Sequence, residues 1–91
     1  MAGPRYIADP PHELRAVPLD GLVALFHAPS GMTHVVAPPA PQILEALHEG
    51  TGDARAILER IRARFEVGDE GTEAIEARLA ELEAAGLVRR A

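Results

Sequence analysis

All eight prolines of this 91-residue chain fall within its first 41 residues, and none occurs from Gln42 to Ala91. Proline fixes φ and removes a backbone donor, so it is confined to turns, edge strands and the first turn of helices. The proline-free half is rich in Ala, Glu, Leu and Arg, which favour helix. The proline-dotted half predicts strands and turns. Neither half is long enough to fold alone, so the two must share one core. Residues 1–12 read as a flexible N-terminal segment and residues 13–91 as the domain.

Three strands are expected in the first half. The first runs from about Glu13 to Pro18, ahead of the turn pair Asp20-Gly21. The second is Leu22 to His27, and the third is Thr33 to Ala37. A hairpin centred on Ser30-Gly31 sets Phe26 opposite Val35, Leu25 opposite Val36 and His27 opposite His34. Alternation then places Phe26 and Val35 on one face and Leu25, Val36 and both histidines on the other. Both faces carry apolar groups, so one covers the helices and the other is free to meet a partner. The second strand is the middle one, which leaves the third at an open edge.

Pro38-Pro39-Ala40-Pro41 ends that strand and leads into a first helix with the stripe Ile43, Leu44 and Leu47, closed by Gly50. Asp53 suits the N-cap of a second helix, along which Ile57, Leu58, Ile61 and Phe65 recur on one face. Arg55–Glu59 and Arg62–Glu66 are i,i+4 pairs on its wet side. After a loop over 68–71, Thr72 is expected to cap a third helix with Ile75, Leu79 and Leu82 as its stripe. Gly86 ends it, and Leu87 stands where a Schellman cap places an apolar contact. The expected fold is α+β and winged helix-turn-helix-like: a three-stranded antiparallel sheet followed by three helices, β-β-β-α-α-α.

Little here suggests catalysis, and no enzyme activity, cofactor or metal is expected. The chain has no cysteine, which excludes disulfides, thiolate metal sites and a thiol nucleophile. His12, His27, His34 and His48 lack the helical i,i+4 spacing of a metal pair. The exception is His27 opposite His34, an incomplete two-ligand clamp whose plainer reading is a pair of surface histidines. Ser30 lies in a Pro-Ser-Gly turn without a nucleophile elbow, the glycines are scattered singly, and Asp69-Glu70 reads as a solvated loop. No apolar run reaches the roughly 18 residues that span a bilayer, and no secretory start precedes Asp9. A hydrophobic content of 47% is too high for a disordered chain. The expectation is a small acidic domain of the cytoplasm, away from membranes.

The formal charge of −5 divides unevenly, with −1 in residues 1–41 and −4 in residues 42–91. A helix-turn-helix invites a DNA-binding reading, in which the last helix enters the major groove. That helix carries Glu73, Glu76, Glu81 and Glu83 against Arg78 alone, the wrong sign for phosphates. Arg60, Arg62 and Arg64 cluster on the second helix, yet the whole remains acidic. A nucleic-acid-binding regulator is thus an alternative, and a scaffold subunit docking a folded enzyme is another. A peptide-binding module fits better. The strand Thr33, His34, Val35, Val36 and Ala37 offers unpaired backbone groups. Beside it the third helix offers Ile75, Leu79 and Leu82, whose plainer role is core. Arg78 either meets an acidic peptide side chain or pairs with Glu81.

Leu22 to Phe26, Gln42-Ile43-Leu44-Glu45-Ala46-Leu47 with Gly50, Ile57 and Ile61, Leu79-x-x-Leu82 and Gly86-Leu87-Val88 together resemble the PqqD family of peptide chaperones, also called the RiPP precursor peptide recognition element. The turn from Phe26 to Val36 is similar to the subgroup found in HPr-rel-A systems. The resemblance covers about residues 13–90. It implies a non-catalytic winged-helix-like domain that binds the leader segment of a ribosomally made precursor by strand addition. Such a domain presents the leader to a modifying enzyme, for instance a radical SAM or HPr-kinase-related protein. Carried over, the binding residues are Thr33 to Ala37 with Ile75, Arg78, Leu79 and Leu82. Where many members have an Asn and a Thr-Ala pair, this chain has Ala37-Pro38-Pro39-Ala40, whose prolines remove donors beyond Ala37. An open edge is compatible with a monomer or a homodimer.

Overall fold

The computed structural model describes residues 3–64 and 71–91. Its elements run β1 (Tyr6–Ala8), a 3-10 turn (Pro11–Glu13), β2 (Leu14–Leu19), β3 (Leu22–His27), β4 (Met32–Val36), α1 (Ala40–Leu47), α2 (Ala54–Arg64), α3 (Thr72–Ala84) and β5 (Val88–Arg90). The fold is α+β, with a three-stranded antiparallel sheet ordered β2-β3-β4 and three helices. A second sheet, which the sequence reading did not foresee, pairs β1 antiparallel with β5.

The apolar stripes of the three helices all turn inward. Ile43, Ile57, Ile61, Ile75 and Leu79 are essentially inaccessible, and Leu44, Leu47, Leu58 and Leu82 are buried with them. Phe65, Glu66, Asp69 and Glu70, which also figured in the sequence reading, lie outside the described residues. The β2-β3-β4 sheet adds Leu14 and Leu25 to this core, with Val23 and Val36 packed partly against it.

Local chemistry sets the helix ends. Asp53 Oδ1 accepts the Ala56 N–H at 2.9 Å, the N-cap bond expected for α2. At the end of α3, Leu87 N–H donates to Leu82 O (2.9 Å) and Gly86 N–H to Glu83 O (3.0 Å). These are the two bonds of a Schellman motif; Gly86 takes the required positive φ of 80°, and Leu87 is buried. Thr72 does not cap α3. Gly71 holds the extended N-cap conformation, Thr72 is already inside the helix, and no side-chain cap bond forms. Arg60 fastens the α1–α2 connection, donating to Ala46 O (3.1 Å), Gly50 O (2.8 Å) and Thr51 O (2.8 Å). A guanidinium is well placed to satisfy orphan carbonyls at a helix C-terminus.

Three further expectations are corrected. The segment before Glu13 is not merely a lead-in: Tyr6 and Ala8 are buried, Tyr6 exchanges backbone bonds with Gly52, and the Arg90 guanidinium lies 5.9 Å from the Tyr6 ring centroid. The β3–β4 register is two residues away from the expected one. Phe26 opposes Thr33, Leu25 opposes His34 and His27 opposes Met32. The loop is thus Ala28 to Gly31, where Gly31 at φ 70° donates to His27 O. Because strand side chains alternate with period two, the shift leaves each residue on its expected face. Finally, Ala37 falls just beyond β4, which ends at Val36.

Replacing Leu79 with Ala should cost about 2–5 kcal/mol, the usual range for an enclosed leucine, and Gly86→Ala about 1–2 kcal/mol through its left-handed backbone. Chemical denaturation of the two variants against the parent measures both.

Candidate functional site: the groove between β4 and α3

β4 is an edge of the larger sheet, as β2 is, since β3 lies between the two; β4 is the edge that α3 flanks. Five residues at about 3.4 Å each give roughly 17 Å of edge. Alternate residues of such an edge point N–H and C=O groups away from the sheet. α3 faces this edge across a groove of about 510 Å³. One wall carries Thr33, His34, Val35, Val36 and Ala37, and the other carries Arg78 and Leu82. Seven of the nine residues singled out from the sequence therefore line one concavity.

The remaining two do not. Ile75 and Leu79 have no accessible surface and belong to the core beneath. Their burial is the reason the groove has its present walls. Turning Ile75 and Leu79 inward rotates Arg78, Glu81, Leu82 and Ala85 toward β4. Glu81 and Ala85 were missed in the sequence reading, though they recur with Arg78 at i, i+3 and i+7, a helical face legible in principle. Leu87, placed by the Schellman turn, also lines the groove.

Arg78 Nη2 meets Glu81 Oε1 at 3.0 Å, the second of the two roles considered for this arginine. Its Nε, like His34 Nε2, is buried with no hydrogen-bond partner. The arginines of α2 are engaged elsewhere: Arg60 holds carbonyls, Arg64 lies 3.7 Å from Glu45 and 3.5 Å from Glu49, and Arg55 lies 3.9 Å from Glu59.

The outer face of the sheet is apolar and open. Leu19, Leu22, Phe26 and Val35 are each 41–58% exposed, and the pairing puts all four on the side away from the helices.

His27 and His34 form no clamp. His27 Nε2 lies 2.6 Å from Asp9 Oδ2, and its Nδ1 lies 2.7 Å from Ser30 Oγ. With Nε2–H donating to the carboxylate, a neutral ring leaves Nδ1 to accept from the hydroxyl. Ser30 Oγ also accepts the Met32 N–H at 3.2 Å, so it is bound within the turn. Arg89 reaches the other oxygen of Asp9 at 2.8 Å. The assembly is a clasp joining the β3–β4 hairpin to the β1–β5 sheet. Bonds from His27 and then Arg89 hold the Asp9 carboxyl below its ordinary range, outweighing the burial that would raise it. Among the described residues, no three His, Asp or Glu side chains gather as a metal-binding group, and no helix is long and apolar enough to cross a membrane.

Comparison of the chain with protein-family models, with curated proteins and with solved structures gives no match.

A carboxyl with a depressed folded pKa stabilises above its unfolded value and loses that contribution as pH falls through the folded value. Asp9→Asn should therefore lower stability at neutral pH by about 1.5–3 kcal/mol, the scale for hydrogen bonds to charged groups. It should also flatten the loss of stability on acidification below pH 3.8, the ordinary value for this carboxyl. Urea unfolding across pH 2–7, with the parent alongside, checks both slope and offset.

Proposed function

We propose that this chain is a non-catalytic peptide chaperone, a winged helix-turn-helix-like recognition element of the PqqD type. It takes the leader segment of a ribosomally made precursor as an added strand on β4 and presents it to a modifying enzyme. The observation that carries the reading is the groove itself: an open strand edge walled by Arg78 and Leu82 of α3. Strand addition needs an unpaired edge for affinity and side-chain contacts beside it for specificity; the unpaired β4 edge and the α3 wall beside it support the reading. A peptide lying there leaves the outer apolar face, with Leu22 and Phe26, free for the enzyme, which is a radical SAM or HPr-kinase-related protein in this reading.

Charge supports a peptide over a nucleic acid. α3 would have to approach the phosphates, and it carries four glutamates against Arg78. Arg60 and Arg64 of α2 already serve carbonyls and carboxylates.

Titrating the isotope-labelled chain with the leader peptide encoded beside its gene should shift amides of Thr33–Ala37 and of α3 around Arg78 and Leu82. Shifts confined to α2 or to the β1–β5 sheet would contradict the binding mode. Val35→Pro removes an N–H from the edge strand and should weaken binding at least tenfold if that donor meets the peptide, with circular dichroism confirming that the hairpin persists.

A further inference from the structure

We infer that the strand bound in the β4–α3 groove carries an aspartate or glutamate facing Arg78, with apolar side chains two residues to either side. This rests on the peptide-binding reading and specifies the ligand's chemistry.

Two nitrogen atoms of residues on opposite walls, Arg78 Nε and His34 Nε2, are buried without a hydrogen-bond partner. The other such atoms among the described residues, Gln42 Oε1 and His48 Nε2, belong to residues that do not line this groove. Arg78 engages Glu81 through Nη2 alone, which leaves Nε–H and further donors of its fork unspent. Buried donors of this kind call for an oxygen acceptor. A carboxylate has two oxygens and no hydrogen, so it can accept from the unspent donors of the Arg78 fork, whose side chain is 43% exposed. A ligand lysine or arginine would set donor against donor beside the Arg78 charge. The chain's net charge of −5 does not bar an acidic guest here. The charged or titratable groups on this groove are Arg78, Glu81 and His34, and the first two balance.

The rest of the motif follows from strand geometry. Side chains of an added strand alternate, so the next groove-facing positions lie two residues away. There they meet Leu82, Ala85, Leu87 and Val36, an aliphatic surface that suits Leu, Ile or Val.

A library of random dodecamer peptides panned against the full chain tests this. The enriched sequences should share an Asp or Glu with apolar residues at both second neighbours. Changing that acid to its amide should weaken binding to the parent by about tenfold or more. It should matter less than about twofold for Arg78→Met, the signature of direct coupling in a double-mutant cycle. Arg78→Lys, which keeps the charge and the helix but lacks Nε–H, should also lose most of the preference. Enriched peptides that shift the Val35 and Ala37 amides yet show no acid preference, or a preference unchanged in both Arg78 variants, would overturn the inference and leave the peptide-binding reading standing. Peptides that bind without touching β4 or α3 would overturn both.

Discussion

The rotation of α3 about its own axis is the constraint on which the candidate site depends. A helix with three large apolar side chains, Ile75, Leu79 and Leu82, has one way to bury them against α1 and α2. Once Ile75 and Leu79 are enclosed, Arg78 and Ala85 face the edge of the sheet. The groove is thus a by-product of core packing, which holds it open without any contribution from the ligand. The Schellman turn at Gly86 then drops Leu87 into the core and sends the chain into β5. There, pairing with β1 and the Arg89–Asp9–His27 clasp anchor the turn end of the hairpin whose second strand is the edge facing α3. Helix packing fixes one wall, and the clasp secures the turn end of the other.

Much of this was legible in the residues, for reasons of period and composition. The cessation of proline after Pro41 marked where helices begin, and the three apolar stripes marked what they bury. Alternation in Leu22–His27 named the faces of the sheet correctly even though the register slipped by two, because a period of two is blind to a shift of two. The register depended on the loop. A glycine at positive φ was expected, but whether Gly31 centres the turn or closes it is decided by its bond to His27 O, which the sequence does not display. The β1–β5 sheet was missed because Tyr6–Ala8 and Val88–Arg90 are three residues each, too short for periodicity to register. Of the site, the strand wall was named from its edge position, and of the four α3 residues on the other wall Arg78 and Leu82 were named. Glu81 and Ala85 escaped notice because they sit on a helix face whose importance appears only once β4 is seen across from it.

The distribution of charge and apolar surface gives the molecule three distinct faces. Residues 42–91 carry −4 of the formal −5, and several helix arginines are committed to carbonyls or neighbouring glutamates. The outer sheet face exposes Leu19, Leu22, Phe26 and Val35. Between them lies the groove, balanced in charge and lined by Arg78 and His34, each with one buried nitrogen that has no hydrogen-bond partner. The proposed role, holding one chain and offering it to a second protein, would use the groove and the outer sheet face for the two partners.

The claim that a peptide joins the sheet at β4 is tested most directly by intermolecular nuclear Overhauser effects in the complex with the leader peptide. The account predicts cross-strand contacts between peptide backbone protons and those of Thr33–Ala37, alternating along the strand, with peptide side chains near Leu82. Contacts that run instead to the outer sheet face at Phe26 and Leu22, with none to the β4 edge, would contradict it.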